Sequence, residues 1–415
     1  MTKKYDLIVV GGGAAGIMAS IVAARKHAKV LLLEKLSKVG VKLKATGGGK
    51  CNISNRLDNE IFMHHFGRDG KFMMPALEAF DHQKLIDFFY EIGVETHAPD
   101  GYRIFPVSHN ATTIVDALKN EMHRLDIDIA CRQRVTGLKY QGSTIAGLTT
   151  QTGTYYAKKV IIATGGKGYP TLGAEGDGYS LAVSAGHQIT KLFPAMMPLK
   201  TKERWVANCR ADTIAKVELR INIKKYKKLH AKGDLIFTKN GIRGPVVLDF
   251  SREITPLLEQ YDEVPVIANF TGGMHEEQIN MYFKDYLRKN PSANLLAVMK
   301  TLLPESLSLE LCRLSDTDPT LTLSRQNGTA KDKLFKLLAW TPLTICGHDG
   351  FQMAMITRGG IVLKEINPYT MESKKVSGLY FCGEVLNLDG PCGGYNLQWS
   401  FASGYLAGNS SVSKE

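Results

Sequence analysis

The sequence has no two cysteines at C-x-x-C spacing: Cys51, Cys131, Cys209, Cys312, Cys346, Cys382 and Cys392 are odd in number and scattered along the chain. This excludes a disulfide framework and a zinc ribbon and suits a reducing cytosol, so a cytoplasmic location is expected. His64, His65 and His348 have no ligand-like spacing with cysteines or acids, and no metal is expected. Internal repeats and low-complexity tracts are also missing. The one long run without charge, Leu7 to Ala24, is broken by Gly11-Gly12-Gly13 into an apolar strand and an Ala-rich helix, and it lacks the order of a secretion signal. No membrane partner is expected. With 44% hydrophobic and 22% charged residues in 415, the chain is no disordered tract and is long enough for two or three domains.

What the sequence has in excess is positive charge. Fifty-two Lys and Arg against 40 Asp and Glu give +12, which favours anionic partners. Residues 191–260 hold 15 basic and 7 acidic residues and so carry +8 of that excess, with Lys224, Lys225, Lys227, Lys228 and Lys232 in one dense run. A polyphosphate backbone is bound through such charges by counterion release, and Tyr226 within the run offers a ring on which an unpaired base can stack. A solvated hairpin tip that keeps the protein soluble accounts for the run equally well.

The first unit reads βαβ: the strand Leu7-Ile8-Val9-Val10, a glycine turn, a helix to about Lys26, and the strand Val30 to Leu33 ending at Glu34. Val160 to Ala163 and Leu379 to Cys382 read as further buried strands, and each runs into glycine, as in a doubly wound sheet with its ligand across the strand ends. From about residue 192 the texture changes. Val217, Leu219, Ile221 and Ile223 alternate with polar residues, and apolar runs at Leu235 to Phe237, Val246 to Leu248 and Val264 to Phe270 predict further strands of a small barrel or sandwich. Ile279, Tyr282, Phe283, Tyr286 and Leu287 then fall on one helical face, with a second helix predicted around Leu295 to Leu302.

Gly11 to Gly16 matches G-x-G-x-x-G between a strand and a helix, with an acid, Glu34, at the end of the next strand. Gly11 allows the tight turn, Gly13 lets a pyrophosphate approach the backbone, the helix N-terminus faces the phosphates, and Glu34 can accept from a ribose. Thr46-Gly47-Gly48-Gly49-Lys50-Cys51-Asn52 is a second glycine cluster against which a flat ring system can pack. Thr164-Gly165-Gly166, Gly383-Glu384 and Gly393-Gly394-Tyr395-Asn396 are further clusters at predicted strand ends. Together they favour a bound FAD over an exchanging nicotinamide cofactor. No later strand is followed by another G-x-G-x-x-G, which argues against a separate NAD(P)H domain.

The segments Gly40 to Asn55 (GVKLKATGGGKCNISN), Gly165 to Gly178, Gly233 to Pro245 and Asn367 to Gly394 resemble the BaiN/RdsA family of NAD(P)/FAD-dependent oxidoreductases, and the similarity spans essentially the whole chain. The resemblance implies an α/β fold: a Rossmann-like FAD-binding domain (1–191 and 345–415) split by an inserted β-barrel (192–272) and a helical subdomain (273–344). It implies FAD contacts from Gly11, Gly13, Ala14, Ala15, Glu34, Lys35, Thr46, Gly47, Gly48, Asn52, Val135, Thr164, Gly165, Gly383, Glu384, Asn396 and Leu397. The chain departs from the family pattern at Lys239 and Arg243, where His and Ser are usual.

Members of the family are linked to reduction of a uridine of large-subunit ribosomal RNA to dihydrouridine, to amine oxidation and to bile-acid metabolism. With the basic run, the first expectation is uridine reduction with electrons from NAD(P)H; the others are redox chemistry on a small amine or enone, and an RNA-binding flavoprotein whose FAD is structural. Reducing the uracil C5–C6 bond takes a hydride at C6 and a proton at C5. Cys51, in the glycine segment, is the candidate general acid, with Tyr395 and Lys50 as alternatives, although a buried cysteine that only packs is an equal reading.

Overall fold

The computed structural model describes residues 4–412, in two compact units: one formed by the chain up to Phe193 and from Met355 onward, the other by Pro194–Ala354. In the first unit the apolar runs of the sequence form a seven-stranded sheet in the order Asp128–Cys131, Val30–Glu34, Lys4–Val10, Thr154–Ile162, Thr144–Thr150, Val135–Gln141, with Leu379–Phe381 paired off this path. Leu7, Ile8, Val9 and Leu32 are fully buried, which is why these strands read as continuous apolar runs and not as alternation.

One strand joins the whole sheet. Thr154–Ile162 pairs parallel with Lys4–Val10 along one edge. On its other edge Thr154 to Tyr156 pair antiparallel with Gly147 to Thr149, while Val160 to Ile162 pair parallel with Leu379 to Phe381. Five parallel strands therefore end at the same side, and three of them, Lys4–Val10, Thr154–Ile162 and Leu379–Phe381, run on into glycine there.

The helix Ala14–Arg25 is buried from Ala14 to Ala24, because the C-terminal helix Tyr395–Ser411 lies on it. Small residues set that approach: a Cβ on Gly408 would stand 2.4 Å from the Ala19 carbonyl oxygen. A small antiparallel sheet of Ser54–Asn55, Arg103–Pro106 and Thr96–His97 completes this unit.

The second unit contains a closed antiparallel barrel in the order Leu199–Thr201, Gly241–Arg243, His230–Phe237, Thr213–Ile221, Val264–Asn269, Thr341–His348. Its core holds Val217, Leu219, Ile221, Leu235, Phe237, Val266 and Ile345, all at most 1% exposed. The alternation in Thr213–Ile221 is broken twice: Ala215 and Lys216 are both exposed at an irregularity between Ile214 and Val217, and Glu218 is buried, held by Arg220 at 2.5 Å and Lys232 at 3.2 Å. The helices Glu276–Lys289, Leu295–Met299, Glu305–Ser315 and Gly328–Ala339 precede the strand that closes the barrel.

The predicted strand at Val246 to Leu248 is a helix, Pro245–Tyr261. Pro245 at its first position, with Gly244 before it, starts the helix, and Val246, Val247, Phe250, Ile254 and Leu257 bury one helical stripe. A three-residue apolar window hid that longer period. Among the described residues no helix is long and apolar enough to cross a membrane.

Candidate functional site

At the head of the parallel strands, Gly11 has φ +107°, and a Cβ there would lie 2.5 Å from the Ala163 carbonyl oxygen of the neighbouring strand end. Gly13, two residues on, is different: a Cβ would meet nothing within 4 Å. The backbone at Gly13 thus faces open space at the start of a helix with no side-chain cap and no acid in its first turn. Those N–H groups and the helix dipole favour an anion there. Glu34 closes the turn from below, its carboxylate accepting from Gly12 N at 2.7 Å and Leu36 N at 2.8 Å.

Lys35 pairs with Asp177 at 2.7 Å and Glu175 at 3.4 Å, and Arg134 bonds to both acids, 2.5 Å from Asp177. This four-membered cluster fixes the loop that begins the helix Asp177–Ser184 beside Lys35 and the buried Val135. Partial burial raises the Asp177 carboxyl, but the hydrogen bonds from Arg134 and Lys35 outweigh it and hold the group below the usual carboxylate range. Nearby, the Thr164 hydroxyl is buried without a hydrogen-bond partner in the protein. A buried hydroxyl of that kind ordinarily has one.

Glu384 forms the next contact group. It accepts from Thr357 N at 2.9 Å and from Lys42 Nζ at 3.0 Å, and a Cβ on Gly165 would lie 3.7 Å from it. A Cβ on Gly383 would lie 2.9 Å from the Cβ of Ala15, so this group adjoins the start of the helix Ala14–Arg25.

The segment Thr46 to Asn52 lies against the start of the C-terminal helix. Gly47, Gly48 and Gly49 have φ of +58°, +64° and +87°, and Gly48 and Gly49 have no neighbour within 4 Å of a Cβ. Three successive left-handed residues are tolerable only for glycine. Asn52, with its amide oxygen toward the helix, accepts from Gly394 N at 3.0 Å and donates to Ser54 O at 2.8 Å and Ile104 O at 3.1 Å. Asn55 donates to Gly393 O at 2.9 Å. Asn396 bonds both polar groups of Gly390 at 2.8 Å and closes the loop before the helix, with Leu397 half-buried in its first turn.

Cys51 has no exposed surface, and its thiol is pushed up to about 11 by burial, against a hydrogen bond with Thr46 that lowers it. It is a neutral thiol enclosed in the core, without a surface to present to a substrate. Lys50 is exposed. Tyr395 is the first residue of the C-terminal helix, and its hydroxyl lies 2.5 Å from that of Tyr102. His65 packs its ring on Tyr395 at 4.7 Å, and His64 is exposed.

In the barrel, Lys224, Lys225, Lys227 and Lys228 are exposed on the turn between Thr213–Ile221 and His230–Phe237, and no ion pair of Lys224, Lys227 or Lys228 is found among the described residues. Tyr226 is half-buried, its hydroxyl donating to Gln260 at 3.3 Å and its ring edge-on to Tyr261. Lys232 is engaged by Glu218. Lys239 is exposed, and Arg243 ends the barrel strand Gly241–Arg243.

The arrangement fits FAD. The uncapped helix start at Gly13 and the unpartnered Thr164 hydroxyl follow neighbouring parallel strands, and the turn of Gly48 and Gly49 leaves a further stretch of backbone open to a ligand. Sequence reasoning missed Lys42, Thr357, Arg134, Asp177 and Tyr102. Lys42 and Asp177 lie inside glycine-rich segments that drew notice for other residues, whereas no local signal ties Thr357 to Lys167, whose N donates to the Thr357 hydroxyl at 2.7 Å.

A family model described as the HI0933-like protein Rossmann domain matches residues 5–410. A 3-dehydro-bile acid delta(4,6)-reductase of Clostridium scindens is 34% identical over 409 residues, 98% of either chain. A ribosomal RNA dihydrouridine synthase of Escherichia coli is 27% identical over 406 residues, 97% of either chain. Among solved structures, a 3-ketosteroid delta1-dehydrogenase of Sterolibacterium denitrificans shares the fold, with TM-score 0.55 over 99% of both chains at 11% identity.

Proposed function

The chain belongs to the family of the HI0933-like Rossmann domain and is an FAD-dependent oxidoreductase, and from that premise we propose that it reduces a carbon–carbon double bond conjugated to a carbonyl, in a uridine of large-subunit ribosomal RNA. The names of the two relatives describe one elementary step. A 3-oxo bile acid with double bonds at positions 4 and 6 is a conjugated dienone, and the uracil C5–C6 bond is conjugated to its C4 carbonyl. Each reduction adds a hydride to the carbon of the double bond farther from the carbonyl, the β-carbon in uracil and in a simple enone, and a proton to the nearer one.

FAD, when bound, supplies the hydride, with NAD(P)H proposed as the electron donor. The chain's own residues hold it. The Gly11 to Ala15 turn would take the pyrophosphate, and Glu34, Lys35 and Val135 the adenosine end. Thr164, Gly165, Gly383 and Glu384 would take the middle, and Thr46 to Asn52 with Asn396 and Leu397 the ring end.

The observation that carries the RNA reading is the exposed turn of Lys224, Lys225, Lys227 and Lys228, within a stretch that carries +8. A small neutral substrate needs no such field, whereas RNA does. The experiment is mass-spectrometric dihydrouridine content of large-subunit rRNA from cells with and without this gene. Loss of one dihydrouridine supports the reading. An unchanged level, in cells with no second enzyme for the site, removes it and leaves the small enone, which the higher identity to the bile-acid reductase favours.

A further inference from the structure

We propose that the Tyr102 hydroxyl gives the substrate its proton and that Tyr395 positions it and stabilises the phenolate left behind. This rests on the reading above that a conjugated double bond is reduced.

The two phenol oxygens lie 2.5 Å apart, although the residues are 293 positions apart in sequence. The two sides of the pair are built differently. Tyr395 is 2% exposed and its ring is packed by Phe62 at 4.9 Å, His65 at 4.7 Å and Phe66 at 6.1 Å, so its hydroxyl has a fixed position. Tyr102 is half-exposed at the start of the small sheet, and its backbone is held at both ends: its N donates to Asp100 at 3.0 Å and its O accepts from Arg56 N at 3.0 Å. The partly accessible member is the one that can touch a substrate, and the enclosed member can act only through it.

The location connects the pair to the ring end of the cradle. Gly393 lies against both rings, 3.4 Å from Tyr395 and 3.7 Å from Tyr102 for a Cβ, and the next residue, Gly394, donates to Asn52 of the glycine segment. The hydroxyls thus stand beside the same backbone that Thr46 to Asn52 is bonded to. A phenol hydrogen-bonded to a second phenol loses its proton more readily, because the second hydroxyl donates to the anion formed.

In the step, the π bond of the substrate breaks and two C–H bonds form. The β-carbon receives a hydride, with its two electrons, from reduced FAD, and the α-carbon receives the proton of the Tyr102 O–H bond. The substrate is reduced by two electrons, the reduced flavin would be oxidised by two to FAD, and the phenolate recovers a proton from water.

The test uses FAD-loaded wild type, Tyr102→Phe and Tyr395→Phe, with 2-cyclohexenone and a uridine-containing rRNA fragment as probes. Each variant keeps its ring, and its FAD content is checked against wild type. Reduction of the bound flavin by NAD(P)H is expected to be unchanged, and its reoxidation by the probe to slow about 100-fold in Tyr102→Phe, within the range for loss of a general acid. Independently of turnover, ultraviolet titration of tyrosinate is expected to show one phenol ionising below the ordinary range in wild type and in neither variant. Full reoxidation rate in Tyr102→Phe, or survival of the low step in Tyr395→Phe, overturns the proposal. A wild type that reduces neither probe overturns the proposed reaction instead, and the titration still decides whether the two phenols share a proton.

Discussion

Gly404 lies against Ala15 so closely that a Cβ on it would stand 2.3 Å from the Ala15 carbonyl oxygen. The C-terminal helix thus rests directly on the first turn of the helix Ala14–Arg25. Helix propensity alone makes Gly→Ala stabilising by about 1 kcal/mol. Here Gly404→Ala is expected to destabilise by about 1–3 kcal/mol through overpacking, a reversal of sign read from urea unfolding midpoints. FAD affinity is expected to fall with it, because the helix start moves.

Gly13→Val separates binding from folding. Its side chain meets no protein atom near the Cβ, so the melting temperature of the FAD-free protein stays near wild type. It intrudes on the pyrophosphate position, with an expected loss of about 1–3 kcal/mol, or roughly 5- to 150-fold in the FAD dissociation constant. A variant whose FAD dissociation constant equals that of wild type refutes the placement. Gly11→Ala is the contrast, since it clashes with the Ala163 carbonyl and is expected to unfold more easily with or without FAD.

The ion cluster at Asp177 makes stability depend on acid. Its carboxyl titrates lower in the fold than in the unfolded chain, so the ionised form is the stabilising one. The contribution is complete above the unfolded value of about 4 and is lost as pH falls through the lower folded value. Asp177→Asn is therefore expected to be less stable than wild type at neutral pH and to lose less stability between pH about 5 and about 2. Parallel stability–pH curves for the two proteins in that range would exclude the role.

Replacing Lys224, Lys225, Lys227 and Lys228 with Ala is expected to weaken binding of an rRNA fragment and to flatten its log–log salt dependence by about 3, while FAD content is unchanged. Titrations at several salt concentrations measure this. An unaltered slope takes the turn out of RNA recognition.

The Rossmann-like half of the fold was legible because fully buried parallel strands are continuous apolar runs that end in glycine, as at Val10–Gly11 and Ala163–Thr164–Gly165. The helix Pro245–Tyr261 was not, since its buried stripe of Val246, Val247, Phe250 and Ile254 begins with a short apolar run that imitates a strand. At the site, backbone-dominated contacts announce themselves as glycine. Side chains that act across the fold do not: Lys42 with Glu384 and Tyr102 with Tyr395 are joined only once the last segment of chain returns to the sheet.

That return has a consequence for how the protein is made. Val160 to Ile162 obtain their outer partner from Leu379 to Phe381, and the first helix obtains most of its cover from residues 395–411, with a smaller share from the helix Ala111–Arg124. A nascent chain on the ribosome exposes the Gly11 to Gly16 turn well before residues 379–411 emerge to supply both. Loading of the cofactor is therefore expected to wait for residues 379–411, and a chain truncated before them carries an exposed apolar helix face and an unsatisfied strand edge, marks by which quality control can distinguish it from the folded protein.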